Sequence, residues 1–130
     1  NVEHALRWLG AIYDENEIAP YMLASSLCCY PANVGLSMMH AMGYGVPVIT
    51  GDDIKSHNPE IHVLDNGLNG SLFLHLDTKD LAKKIIEILD NEKQLSLMGK
   101  NARKTVLNGF MTQDMVKGFM GAIRAIYHGY

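Results

Sequence analysis

The turn after Pro31, in the stretch YPANVGLSMMHAMGYGVPVIT, carries the residues with the clearest chemical potential. An apolar run ends at Pro31, and a helix is predicted to begin just after Asn33 and Gly35. A helix N-terminus exposes unpaired N–H groups and about half a positive charge, which suits an anion such as a diphosphate. Gly35 lets a ligand approach the backbone, and Asn33 can adopt left-handed geometry or cap the helix. A glycine selected only for tight strand–helix packing explains the turn equally well.

His40 lies five residues after Gly35, a little more than one turn into the predicted helix. A side chain at this position can lean back toward the helix N-terminus and meet a ligand at the turn. The alternative is an ordinary histidine on the helix surface or in the core.

A second candidate region is the sequence SHNPE in the polar loop after Thr50, with His57, Asn58 and Glu60. The functional interpretation makes these three residues the second wall of a ligand cleft. In the structural interpretation Pro59 is the first residue of a short helix, with Asn58 as its N-cap and Glu60 as a favourable first-turn charge.

Other kinds of site are not indicated. The chain has no P-loop, and its G-x-G lies before a strand and lacks the third glycine of a dinucleotide motif. Its six histidines show no metal-ligand spacing, so no metal site is predicted. The formal net charge is −3, so the chain lacks the basic surface that binds nucleic acid, and we expect no nucleic acid as a partner.

Short apolar segments alternate with helical patterns, which predicts an α/β fold with a parallel sheet. The predicted strands are ALRWLGAI (5–12), LCCYP (27–31), VPVIT (46–50) and SLFLHL (71–76). The predicted helices start near Asp14, Val34, Thr78, Glu92 and Thr112, the last running to the end of the chain, with Gly45 as a helix C-cap and a short helix after Pro59. Ligands of such sheets bind at the carboxyl ends of the strands, where the turn after Pro31 and the loop after Thr50 both begin.

These motifs, taken in order, resemble the C-terminal, donor-binding half of a GT-B glycosyltransferase of family 4, the group 1 transferases. The family pattern P-S-x-x-E-G-F-G-L-x-x-x-E-A-M-A-x-G-x-P-V is similar to P-A-N-V-G-L-S-M-M-H-A-M-G-Y-G-V-P-V here. The matching residues are Gly35, Leu36, Ala41, Met42, Gly45, Pro47 and Val48. Downstream, NPEIHVLDNGLNGSLF resembles P-E-v-v-x-d-g-x-n-G-x-l, and the resemblance covers nearly the whole chain.

The resemblance implies a Rossmann-like parallel sheet flanked by helices, and retaining transfer of a sugar from a nucleoside diphosphate to an acceptor hydroxyl in polysaccharide or glycoconjugate assembly. It implies that the amides of Val34, Gly35 and Leu36 hold the diphosphate and sugar and that His40 touches the ribose. Ile12 and Tyr13 would flank the base. The nucleotide sugar is a substrate, and no cofactor is implied.

The chain departs from the family at two positions. Two glutamates eight positions apart flank the turn in the family, the first contacting the donor sugar and the second the ribose. Ala32 and His40 stand at those positions here. Ala32 has no group to bond a sugar hydroxyl, and Asn33 is the substitute the sequence offers. His40 can still bond a ribose hydroxyl through a ring nitrogen.

The resemblance implies that residues 1–130 are a donor-binding domain fragment that lacks its N-terminal acceptor-binding half and is inactive alone. Cys28 and Cys29 are neighbours in a predicted strand and so point to opposite faces, which disfavours a disulfide between them. Reduced, buried thiols fit a cytoplasmic protein. Attachment to the inner face of the membrane would run through the missing half.

Two other functions remain open from the sequence. A non-catalytic nucleotide-sugar-binding or scaffold domain is suggested by the loss of both glutamates. A flavodoxin-like interaction module would have another strand order and no nucleotide affinity. The sequence leaves the donor sugar, its base and the acceptor open.

Overall fold

Three short parallel strands form the sheet in this computed structural model, which describes residues 2–128. The strands are β1 (Cys28–Cys29), β2 (Val48–Gly51) and β3 (Gly70–Phe73), in the spatial order β1-β2-β3. Cys28 lies opposite Val48, and Val48 lies opposite Gly70. Both pairings are parallel, so the carboxyl ends of the strands meet at one edge.

Helices connect and cover the strands. The α-helices are α1 (Glu15–Ala24), α2 (Leu36–Gly43), α3 (Thr78–Leu89), α4 (Glu92–Leu107) and α5 (Thr112–His128). Short 3-10 helices occupy Glu3–Ala5, Ile54–Ser56 and Pro59–Val63. No helix in residues 2–128 combines the length and the apolar character needed to cross a membrane.

The core lies on both faces of the sheet because successive residues of a strand point to opposite sides. Val48 joins the cluster formed by α2, α4 and the 59–63 turn. Its neighbour Ile49 packs on the other side with Phe73 of β3 and Ile88 of α3. The buried members of the first cluster are Val34, Met38, Ala41, Met42, Val46, Val48, Ile61, Ala102 and Val106.

Local signals set the helix ends. Asp77 caps α3 by accepting hydrogen bonds from the amides of Lys79 and Asp80. Gly45, just past α2, has a φ of 81°. This left-handed geometry is typical of a glycine that ends a helix, so the prediction of Gly45 as a C-cap glycine is confirmed. A Cβ on Gly99 of α4 would lie 2.5 Å from the carbonyl oxygen of Gly45, so the two helices meet at backbone distance there.

Most predicted elements are confirmed, with shorter strands than predicted. The last helix is confirmed to His128, because Gly129 and Tyr130 lie outside the described residues. Cys28 and Cys29 are free thiols, but Cys29 is exposed and Cys28 only half-buried, so the prediction of two buried thiols is wrong.

The predicted strand over 5–12 is wrong. Residues 7–13 are irregular and make no backbone hydrogen bond to a strand within the described part of the chain. Trp8 in this segment is 94% exposed. A strand needs a neighbour for its backbone groups, and β1, with two residues in the ladder, presents too short an edge to hold one.

Candidate functional site

The turn between β1 and α2 presents free backbone amides at the carboxyl edge of the sheet. Asn33 has a φ of 56°, so it adopts the left-handed geometry that asparagine tolerates, and Gly35 is the N-cap of α2 without a side-chain cap. Within residues 2–128, nothing accepts a hydrogen bond from the amides of Gly35, Leu36 or Ser37. Leu36 and Ser37 are exposed and Gly35 is half-buried, so the positive end of α2 lies at the surface, where an anion can reach it.

The amide of Val34, the first of the three amides predicted to hold the diphosphate, is already occupied. Val34 N–H donates to Nδ1 of His57 at 3.2 Å, and His57 Nε2 donates to the carbonyl oxygen of Gly51 at 2.9 Å. Because a carbonyl can only accept, the proton lies on Nε2 and the lone pair on Nδ1 faces Val34. His57 therefore ties the end of β2 to the turn after β1.

Asn58 completes the contact between the two predicted walls of the cleft. Its backbone amide donates to the carbonyl oxygen of Val34 at 3.0 Å, and its side-chain amide donates to Oδ1 of Asn33 at 3.4 Å. A Cβ on Gly35 would lie 3.2 Å from Nδ2 of Asn58, which is a tight contact. Packing against Asn58 is thus one reason for a glycine at position 35, beside the free approach to its amide.

Glu60 lies apart from these amides. It is half-buried, and its Oε2 atom is buried without a hydrogen-bond partner in the described part of the chain. Together with Leu36 and Met39 it lines an open groove of about 520 Å³ between α2, the 59–63 turn and the start of α5. The buried side chain of Ile61 anchors this turn in the core.

His40 points toward the start of α1 and contacts Glu15. His40 Nε2 lies 3.0 Å from Oε1 and 3.2 Å from Oε2 of Glu15, and the Tyr44 hydroxyl also donates to Oε1. The rings of His40 and Tyr44 meet edge-on with centroids 5.3 Å apart. The hydrogen bond from Tyr44, followed by the one from His40, lowers the pKa of Glu15 below its usual 4.5. The same contact with Glu15 raises the pKa of Tyr44 above its usual 10.0.

Ile12 and Tyr13 lie in the irregular segment just before α1. Tyr13 is 95% exposed and Ile12 is half-buried. Because two residues of chain span at most about 7 Å, Tyr13 lies close to Glu15, and through it to His40. The structure thus brings His57 and Asn58 into contact with the turn, whereas Ile12 and Tyr13 make no hydrogen bond to it within residues 2–128.

Sequence reasoning missed Glu15 and Tyr44. Tyr44 follows His40 by four residues on one helix, and that spacing could have paired the two rings. Glu15 is 25 residues from His40, and no local pattern connects them. Within residues 2–128 there is no group of three or more histidine, cysteine, aspartate or glutamate side chains that could hold a metal ion.

The fold, with its candidate site at the carboxyl edge of the sheet, places the chain in a known structural class. An α/β domain with a parallel three-stranded sheet and helices on both faces is the architecture of GT-B glycosyltransferases, as two solved structures show. Sucrose-phosphate synthase from Thermosynechococcus elongatus aligns over 95% of this chain and 31% of its own, with a TM-score of 0.79 and 24% identity. HepE from Anabaena, solved in complex with UDP, aligns over 95% of this chain and 33% of its own, with a TM-score of 0.80 and 19% identity.

The family is shown by the sequence match. The chain belongs to the family described as glycosyl transferases group 1, which matches residues 1–105. A poly(ribitol-phosphate) alpha-N-acetylglucosaminyltransferase of Staphylococcus aureus is 30% identical over 86 residues, or 66% of this chain and 17% of that protein. The chain thus spans a third or less of the length of each of these relatives.

Proposed function

We propose that this chain is the C-terminal, donor-binding domain of a retaining glycosyltransferase of family 4, which transfers a sugar from a nucleoside diphosphate to an acceptor hydroxyl. The observation that carries the proposal is the set of free amides of Gly35, Leu36 and Ser37 at the start of α2. Three N–H groups and the positive end of a helix dipole complement a diphosphate. HepE, a protein of the same fold, is solved in complex with UDP, which supports a nucleotide as the ligand.

In the reaction, the acceptor oxygen forms a bond to the anomeric carbon and the bond from that carbon to the diphosphate oxygen breaks. The electron pair of the broken bond stays on the diphosphate, which gains negative charge and takes up the proton of the acceptor hydroxyl. Preorganised N–H groups at the α2 N-terminus stabilise that charge as it develops. The donor is a substrate, and the proposal requires no resident cofactor.

The remaining residues are assigned around the diphosphate. His40 faces the ribose, Ile12 and Tyr13 flank the base, and Asn33 faces the donor sugar. Because Val34 N–H donates to His57, we assign the diphosphate to the next three amides instead. His57 and Asn58 hold the second wall of the cleft, and Glu60 extends it.

The acceptor-binding half is proposed to lie elsewhere in the protein. The chain spans about a third of the two solved structures, so most of each relative lies outside the match. Apolar residues of α5 are exposed at helical spacing, namely Met115, Phe119, Ile123 and Ile126. We propose that this face packs against the acceptor half, that the isolated domain is inactive, and that the enzyme acts in the cytoplasm at the inner face of the membrane. The name of the Staphylococcus aureus relative supports a polymer as acceptor.

A second candidate function is a non-catalytic nucleotide-sugar-binding or scaffold domain. It is favoured by Ala32 and His40, which stand where the resemblance places two glutamates. A transfer assay on the full-length protein separates the two, since only the enzyme releases nucleoside diphosphate in the presence of acceptor.

An amide-resolved NMR titration of the chain with uridine, guanosine and adenosine diphosphates tests donor binding. We expect shifts at Gly35, Leu36, Ser37 and His40 with one of the three nucleotides. Shifts confined to the exposed face of α5 would contradict the assignment, as would an absence of binding that persists in the full-length protein.

A further inference from the structure

The carboxylate of Glu15 lies beside the proposed nucleotide site, and its two oxygens can accept more hydrogen bonds than they do in the structure. Oε1 accepts from the Tyr44 hydroxyl and from His40 Nε2 at 3.0 Å, whereas Oε2 has only the longer contact of 3.2 Å with the same nitrogen. An ionised carboxylate can accept about four hydrogen bonds, two at each oxygen. The side chain of Glu15 is 63% exposed, so the free positions are open to a ligand.

The carboxylate of Glu15 contacts α2 at a distance from the proposed diphosphate site that suits the ribose of a nucleotide. His40 lies four residues after Leu36, which places it about 6 Å along the helix axis from the amides assigned to the diphosphate. A ribose is joined to that diphosphate through a single oxygen, so it lies next to the phosphates. Helical side chains generally lean toward the helix N-terminus, and Glu15 contacts His40 from α1.

Ribose offers two neighbouring hydroxyls on one face of the ring, and a carboxylate offers two oxygens that can accept from both. Glutamate and aspartate bind ribose hydroxyls in this way in dinucleotide-binding folds. The side chains around Glu15 favour the charged form, because Tyr44 and His40 donate to it. Asp14, the adjacent acid, caps α1 and accepts from Asn16 N–H.

We propose that Glu15 is a ribose-binding residue of this site, with Tyr44 as a positioning residue that acts through it. The proposal rests on the proposed function, because it takes a nucleoside diphosphate as the ligand. In this arrangement the 2′ and 3′ hydroxyls donate to the carboxylate of Glu15. His40 donates to the same carboxylate through Nε2 and so holds it in place beside the ribose. The site would therefore select ribonucleotides over deoxyribonucleotides.

The test combines changes in the protein with changes in the ligand. Binding to the full-length protein is measured by calorimetry with whichever of uridine, guanosine or adenosine diphosphate binds most tightly, and with its 2′-deoxy and 3′-deoxy forms. The variants are Glu15→Gln and Tyr44→Phe, and Glu17→Gln is the matched control from the same turn of α1. The side chain of Glu17 is exposed and has no hydrogen-bond partner within residues 2–128.

We expect Glu15→Gln to weaken binding of the ribonucleotide roughly 10-fold or more, as for a lost hydrogen bond to a charged group. The deoxy forms should bind the wild-type protein more weakly, and Glu15→Gln should weaken their binding less than it weakens binding of the ribonucleotide, because one of the two hydroxyls that donate to Glu15 is already missing. Tyr44→Phe should show the same pattern with a smaller loss, and Glu17→Gln should change neither ligand.

Equal losses for the ribo and deoxy forms in Glu15→Gln would overturn the proposal and leave Glu15 as a tie between α1 and α2. If that variant does not fold, the same comparison in Tyr44→Phe decides. A wild-type protein that binds one nucleoside diphosphate but shows no preference for ribose also overturns this inference and leaves the proposed function standing. A wild-type protein that binds none of the three overturns both.

Discussion

Replacing His57 with alanine removes both hydrogen bonds that join the turn after β1 to the end of β2. The ring accepts from Val34 N–H at 3.2 Å and donates to the carbonyl oxygen of Gly51 at 2.9 Å. A hydrogen bond contributes about 0.5 to 1.5 kcal/mol net to stability, so the two together are worth about 1 to 3 kcal/mol. Val34 is fully buried, which places the loss toward the upper end because its amide is then left unpaired.

Two further variants separate the two bonds. His57→Asn offers an amide oxygen near the position of Nδ1 and should retain the bond from Val34. His57→Gln offers a nitrogen near the position of Nε2 and should retain the bond to Gly51. Each should recover about half of the loss caused by His57→Ala. His62→Ala is the control, because His62 is an exposed histidine in the neighbouring turn and its replacement should cost less than about 0.5 kcal/mol.

The measurement is urea-induced unfolding followed by circular dichroism, with the slope of the transition checked for equality among the variants. We expect the order of stability wild type, then Asn and Gln, then Ala. If His57→Ala were as stable as the wild type, the ring would not be tying the strand ends together. If all three variants lost the same amount, the loss would come from side-chain packing rather than from the two hydrogen bonds.

Three further predictions follow from other contacts. Gly99→Ala should destabilise the protein by about 1 to 3 kcal/mol in urea unfolding, because its Cβ would lie 2.5 Å from the backbone oxygen of Gly45. Asp77→Ala should cost about 1 kcal/mol in the same assay by removing the cap of α3. The lowered pKa of Glu15 and the raised pKa of Tyr44 should make their contact stabilising above about pH 4.5 and below about pH 10.0. This contribution should be lost as pH falls through the lowered value or rises through the raised one, measured as the difference in unfolding free energy between wild type and Tyr44→Phe.

Each of these predictions has its own control. Gly109→Ala places a Cβ where nothing lies within 4 Å, and a loss equal to that of Gly99→Ala would contradict the packing argument. Asp77→Asn keeps an oxygen acceptor and should be nearly neutral; a loss as large as that of Asp77→Ala would contradict the capping argument. A difference between wild type and Tyr44→Phe that stays constant from pH 3 to pH 11 would contradict the pairing of Tyr44 with Glu15.

The order of most elements could be predicted because their signals are local. The start of α2 follows from the proline and glycine before it, and the cap of α3 is an aspartate directly before an amphipathic helix. The predicted strand over 5–12 failed because an apolar run specifies a strand only when a sheet edge is there to receive it. β1, with two residues in the ladder, does not provide that edge.

The site could be predicted only where its residues follow one another along the chain. Asn33 takes the left-handed geometry that its type suggested, and Gly35 lies at the N-cap of α2. The contact of His57 with Val34 spans 23 residues and that of Glu15 with His40 spans 25, so both depend on how helices and strands pack. Sequence spacing carries no information on such pairs, and the occupied amide of Val34 could only be found in the structure.

The central claim is that the first amides of α2 bind a nucleoside diphosphate, and one pair of variants tests it most directly. Leu36→Pro deletes the amide at the first helical position, where proline is tolerated, and Leu36→Ala removes the same side chain but keeps the amide. Calorimetry measures the affinity of both full-length variants for whichever of uridine, guanosine or adenosine diphosphate the wild-type protein binds most tightly. We predict that Leu36→Pro binds roughly 10- to 150-fold more weakly than Leu36→Ala, as expected for one hydrogen bond to a charged ligand. Equal affinities in two folded variants would contradict the claim.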